Sequence, residues 1–235
     1  MNIFVLLDRQ SAAQGEVIPG PSDAVAHLNT VEEYWSYLFS DEIIQIIVDC
    51  TNDKIESVCS ILVAEDKAES YHHLTDVVEI RAYLGVLYYA GLWHSSKVSD
   101  NRLWDTKNGI NFYRCVFSRH RFTFLSSTIR FDKKSTRNPE DRFSPVRNIW
   151  GIFIENCKRA YNPSKKLTVD EQLLSFRGRC IFRMYMKAKP DKYGLKLVTL
   201  NDAETAYLVI DFFAYFYSYF SKILFFSDSR NTLFR

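Results

Sequence analysis

Glycine and proline are scarce in this sequence, 8 and 6 among 235 residues. That scarcity excludes a collagenous or low-complexity chain and leaves few places for tight turns. Cysteine is thin as well: Cys50, Cys59, Cys115, Cys157 and Cys180 are odd in number, widely spaced, and form no C-x-x-C pair. A disulfide framework and a zinc ribbon are therefore not expected, and reduced thiols in a nuclear or cytosolic protein are. The apolar patch at the N-terminus has no basic residues before it and is not a signal peptide. The longest weakly polar stretch, Phe212 to Ser221, is bounded by Asp211 and Lys222, well short of the ~20 residues a membrane span needs, so no membrane partner is expected. G-x-G-x-x-G, Walker, G-x-S-x-G and H-E-x-x-H motifs are all missing, which removes the usual support for nucleotide-binding and common hydrolase readings.

What the sequence does have is an uneven charge. Residues 1–80 hold 15 Asp and Glu against 3 Lys and Arg, whereas residues 81–235 hold 13 against 27, so a formal net charge of +2 conceals an acidic start and a basic remainder. A basic region of that size is suited to phosphate backbones, because each neutralised phosphate releases a counterion.

Residues 1–30 carry turn formers and little periodicity and read as a mobile leader. From Val31, Tyr34, Trp35, Leu38 and Phe39 recur at helical spacing. Ser40 with Asp41 and Glu42 then opens a second short helix, Ile43 to Val48. Residues 77–92 form a further helix, in which Gly85 allows close packing of a neighbour. Asn111 to Phe131 reads as helix too, with Arg114, Arg119, Arg121 and Arg130 projecting away from its apolar residues. Ser144 and Pro145 suit N-cap and N1 of a helix whose stripe, Val146, Ile149, Trp150, Phe153, Ile154 and Cys157, should be buried. After Pro163 the period falls towards two. Leu167 to Phe176, Leu195 to Leu200 and Ala206 to Ile210 read as strands, the last two joined by a five-residue loop, Asn201 to Thr205. Between Phe212 and Phe226, nine of fifteen residues are aromatic, an aggregation-prone composition. The expected class is α+β.

Two features carry chemistry. Asp170 is a carboxylate inside a strand, the kind of rigid ligand a metal-dependent phosphoryl-transfer site needs. Around it, Lys158 to Lys196 holds eleven Lys and Arg against Asp170, Glu171 and Asp191, interleaved with Tyr161, Phe176, Phe182, Tyr185 and Tyr193. Cations mixed with aromatic rings on one sheet suit a nucleic-acid channel. His72-His73 lies in an acidic segment and reads as a solvated pair, not a metal site.

The segment Leu167-Thr-Val-Asp170-Glu-Gln172-Leu-Leu-Ser-Phe176-Arg177-Gly178-Arg179-Cys180, followed by Phe182-Arg183-Met-Tyr185 and Lys189-Pro190-Asp-Lys192-Tyr193-Gly194-Leu-Lys196, resembles the catalytic-domain opening of piggyBac transposases. Upstream, Leu38 to Ile44 with Thr51-Asn52, Glu79 to Gly85, Ser118 to Phe122, and Phe143 to Trp150 follow the same family in order. The resemblance implies a helical dimerisation and DNA-binding region at 31–163, the first strands of an incomplete RNase H-like catalytic core at 164–210, and a divergent tail at 211–235. It also implies that Asp170 is the first of the carboxylates that hold Mg²⁺, with Arg177, Arg179, Arg183, Lys189, Lys192 and Lys196 near DNA. The family's further aspartates are expected downstream of Ile210, where this chain departs from the pattern; Asp202, Asp211 and Asp228 do not match their contexts. The expectation is thus a C-terminally truncated, nuclear, transposase-derived protein. It would bind DNA without catalysis, alone, as a homodimer or with a full-length transposase. The alternatives are a domesticated DNA- or chromatin-binding protein and a mis-predicted fragment of an active enzyme.

Overall fold

A computed structural model of the chain describes residues 18–95, 98–141, 143–178, 180, 183–187 and 190–209, together with the backbone pairing of 3–6 and 210–213. Helices and antiparallel strands divide between two compact units: residues 39–152, and residues 1–38 with 153–235.

The 39–152 unit is helical. Its first helix, α2 (Asp41–Ala64), follows α1 (Val31–Leu38) of the other unit. Asp41 and Glu42 sit in the first turn of α2, where the helix dipole favours negative charge. Ser40 occupies the cap position, but its hydroxyl makes no cap hydrogen bond. The helix is 24 residues long, not the short element expected. It continues because Ile43, Ile44, Ile47, Thr51 and Ile55 form one unbroken buried stripe, with Gln45, Asp49 and Asp53 turned to solvent. Helix α3 (Val77–Leu92) begins where Asp76 accepts from the Glu79 N–H at 2.8 Å. The short α4 (Asp100–Leu103) follows.

The helix expected across 111–131 is two, α5 (Asn111–Val116) and α6 (Arg119–Thr128). Phe117 turns extended and buries its ring, and Ser118 restarts the helix by accepting from the Arg121 N–H at 3.2 Å. Ile55, Tyr83, Val86, Trp104, Tyr113, Phe117, Phe124 and Leu125 make the core, each large apolar side chain adding roughly 1.5–3 kcal/mol by leaving water.

Arg121 does not project away from that core; it is 5% exposed and all its donor nitrogens are occupied. Nε and Nη2 donate to the two carboxylate oxygens of Glu79 at 2.7 and 2.6 Å. Nη1 donates to the carbonyls of Tyr71 and His73, each at 2.8 Å, and Nη2 to Leu74 at 3.2 Å. Such a fork satisfies a buried guanidinium as lysine cannot. Thr75 also donates to Glu79 at 2.6 Å, and its backbone is held on both sides by the Asn52 amide, at 2.8 and 2.9 Å. His73 is exposed, but His72 is not solvated as expected. Its ring packs at 4.7 Å from Phe124, and its Nδ1 accepts from the Glu69 N–H.

Helix α7 (Ser144–Ala160) carries the boundary between the units within its length. Its stripe is fully buried only at Ile154 and Cys157; Val146, Ile149, Trp150 and Phe153 are half-buried.

In the other unit, part of the stretch read as a leader is packed. Strand β2 (Gly20–Pro21) pairs with β3 (Tyr161–Asn162), and Val25 is buried. The main sheet runs β1 (Ile3–Leu6), β4 (Lys166–Ser175), β6 (Tyr193–Asp202), with β5 (Arg183–Tyr185) and β7 (Leu208–Phe213) both on the far side of β6, at its opposite ends. All pairings are antiparallel. Strand β7 continues three residues into the segment read as a divergent tail, the rest of which lies outside the described residues. Gly194 sits where a Cβ would meet the Leu174 carbonyl oxygen at 2.3 Å, so β4 and β6 approach this closely only because that side chain is absent.

Candidate nucleic-acid interface

Alternation along β4 sends Thr168, Asp170, Gln172 and Leu174 to one face, and the register aligns them with Asn201, Thr199, Leu197 and Leu195 of β6. Asp170 lies in a strand, as expected, and is exposed; its Oδ1 accepts from the Glu171 N–H at 2.8 Å. It lines an open cavity of about 640 Å³ with Gln172, Asp191, Thr199 and Asn201. Thr199 accepts from the Asn201 amide at 2.8 Å, so the wall facing Asp170 is neutral and polar. Asp211 falls at the register position beyond Thr199, two strands from Asp170 and so about 10 Å away between Cα atoms.

A divalent ion at Asp170 needs further ligands. Among the described residues no three His, Cys, Asp or Glu side chains come together as a metal-holding group. The cavity's other acids are Glu171, held by Lys196, and Asp191 of the adjoining loop; with Asp170 they do not form such a group and do not fit a two-Mg²⁺ centre. Asp202 is no substitute. Expected inside the 201–205 loop, it instead ends β6, buried, accepting from the backbone N–H groups of Ser164, Glu204 and Thr205 at 2.5, 2.9 and 3.1 Å. Burial pushes its carboxyl up, and those three donors more than reverse this, holding it below the usual carboxylate range.

The cations divide. Lys196 lies on the opposite face from Asp170 and pairs with Glu171 at 2.6 Å, so it is an intra-sheet partner. Arg177, Arg183 and Lys192 gather instead at the end of the sheet where β4 leaves and β5 meets β6, and all three are exposed. Arg183 Nη1 donates to the carbonyls of Arg177 and Gly178 at 2.9 and 3.0 Å, fixing the turn that presents Arg177. Arg179 and Lys189 lie outside the described residues.

Two residues gain importance that composition alone did not give them. Tyr185 pairs directly with Tyr193 across β5 and β6, their rings 5.0 Å apart, with the Arg183 guanidinium 5.6 Å from the Tyr193 ring centre. Their flanking of one basic loop, 186–192, was the available signal.

A family model described as transposase IS4 matches residues 30–215. The fold matches the piggyBac transposase of a cryo-EM synaptic complex with hairpin DNA at a TM-score of 0.75 and 37% identity, over 83% of this chain and 41% of that one. This chain belongs to the piggyBac transposase family. Two human proteins, PiggyBac transposable element-derived protein 3 and the chimeric ERCC6-PGBD3 protein, are each 22% identical to it over 184 residues, 77% of this chain. It spans 29% and 16% of their respective lengths. The piggyBac segments read from the sequence now have physical roles. Asn52, Glu79, Ser118 and Arg121 brace the helical unit, and Gly194 lets β4 and β6 close. Among the described residues, no helix is long and apolar enough to cross a membrane.

Proposed function

We propose that this transposase-derived piggyBac chain is a nuclear DNA-binding protein that does not, on its own residues, cut or join strands. The observation that carries the reading is the grouping of Arg177, Arg183 and Lys192 with two tyrosines at one end of the sheet, on a segment whose eleven Lys and Arg outnumber its acids. The piggyBac relative solved with hairpin DNA supports the same partner. Strands β4 to β7 are read as the opening of an RNase H-like core with Asp170 as its first carboxylate. The helical unit is read as the dimerisation and DNA-binding part; Val78, Tyr88, Leu92 and Trp93 of α3 and its end leave apolar surface for a second copy.

Fluorescence anisotropy with duplex DNA tests the binding half. Affinity should fall steeply between about 50 and 200 mM salt, and Arg177→Glu should weaken binding and lower the salt slope by about one. Absence of binding at low salt refutes it. For the second half, the purified chain is incubated with Mg²⁺ and end-bearing DNA; hairpin or strand-transfer products would refute the non-catalytic reading.

A further inference from the structure

We propose that Tyr185 and Tyr193 form a stacking platform for an unpaired nucleobase, so that the sheet end selects distorted or single-stranded DNA over a continuous duplex. The inference rests on the DNA-binding reading and specifies which form of DNA that site takes.

Both tyrosines sit on the same face as Asp170 and remain open to solvent, Tyr185 at 54% and Tyr193 at 47%. Leu174, 51% exposed, stands on that face across from Leu195, which in turn faces Arg183. The rings are neither stacked face to face nor buried under a helix; they meet at 52°, which leaves ring surface available. Tyrosine in this state resembles the aromatic residues of binding surfaces, an apolar body with a polar tip that tolerates water until a partner arrives.

Charge decides what partner fits. Arg177, Arg183, Lys187 and Lys192 surround the platform, with Asp191 the acid in the same loop. An apolar protein helix gains nothing from four cations, whereas a nucleotide presents a flat π face and a phosphate together. Arg183 is placed for both: it packs on Tyr193, and among the described residues its turn contacts run through Nη1, with the rest of the guanidinium left for an anion.

The base must be unpaired because within a duplex both faces of each base are covered by its neighbours, so a side-chain ring can stack only on an end or an extruded base. Position supports this. Tyr193 is six residues along β6 from Thr199, which faces Asp170, about 20 Å at ~3.3 Å per residue, or about six base steps at 3.4 Å. A base held at the platform therefore leaves its own strand reaching Asp170 about six nucleotides on, on the same face.

The test uses the full chain and 2-aminopurine as the probe, placed either as a single-base bulge or fully paired in otherwise identical duplexes. The bulged DNA should bind about tenfold more tightly, with the probe's emission quenched on binding, since stacking a base on an aromatic ring is worth that order of affinity. Tyr185→Ala with Tyr193→Ala should abolish the preference and the quenching, bringing the bulged DNA down to the affinity of the paired duplex. The Phe variants at both positions should keep both, which separates loss of stacking from loss of fold. Equal affinity for the two DNAs, an unquenched probe, or a preference unchanged by the Ala variants overturns the platform alone. Failure to bind either DNA at low salt overturns the DNA-binding reading and the platform with it.

Discussion

Arg121 and Glu79 carry more of the helical unit than their number suggests. With five hydrogen bonds converging on one buried guanidinium, Arg121→Ala leaves the half-buried Glu79 carboxylate with the Thr75 hydroxyl alone and takes a donor from the carbonyls of Tyr71, His73 and Leu74. The expected loss is about 3–5 kcal/mol, read from urea unfolding. Lysine should not rescue it, because a point charge cannot reach oxygens spread over both sides of the fork. The same pair sets an acid limit. Burial raises the Glu79 carboxyl, but the hydrogen bonds from Arg121 and Thr75 outweigh this and hold it below its ordinary value. A depressed carboxylate contributes stability that is complete above the unfolded value, about 4.3 for Glu, and is lost as pH falls through the folded value. Asp202 behaves likewise. Thermal midpoints should therefore hold steady near neutrality and fall below about pH 4. Glu79→Gln should start lower and show a shallower acid slope; an unchanged slope would remove Glu79 from this account. The thiols lie at the other extreme: burial pushes Cys157 up to about 11, so it is a packing residue and not a nucleophile.

Two glycines separate backbone need from chance at the level of elements. Gly194→Ala forces a Cβ against the Leu174 backbone and should destabilise the sheet by about 1–3 kcal/mol. Gly85, in α3, has nothing within 4 Å of where its Cβ would be, so Gly85→Ala should stabilise the chain by about 0.5–1 kcal/mol. Calorimetry on both variants decides, and the same sign for both would be inconsistent with this packing. The expected neighbour of Gly85 is thus not found among the described residues. Helix α3 was legible from the sequence because its apolar spacing fills the whole element, and α7 because Ser144 and Pro145 mark its start. The break at Phe117 was not, since an apolar residue in helical phase gives no sign that its backbone turns extended. Nor was β5: three exposed residues at the margin of a sheet have no alternation to read. Asp170 could be found because one strand suffices to place it. Putting Lys196 on the opposite face and Tyr185 beside Tyr193 needed the pairing register, which composition does not contain.

Across the whole molecule, the charge asymmetry along the chain does not survive folding as two opposed halves. Residues 39–152 hold 15 acids and 15 Lys or Arg, because the helical unit joins the acidic early segment to later cations, as in Glu79 with Arg121 and Asp53 with Lys133. Stability is distributed unevenly as well. The α2 amides from Ile43 to Ile55 lie over fully buried side chains, whereas every residue of β5 is exposed. Hydrogen exchange on the full chain should therefore be slowest in α2 and, within the sheet, fastest in β5. The reverse order would be inconsistent with this distribution of burial. The balanced helical unit also determines how the protein meets a polyanion. A uniform pull acts on no net charge over 39–152 but on a net +8 between Lys158 and Lys196, where eleven cations face three acids. If duplex DNA is the partner, as proposed above, low ionic strength draws it to the strand segment in preference to the helical unit; at 1 M salt, with a Debye length of about 3 Å, that preference is lost.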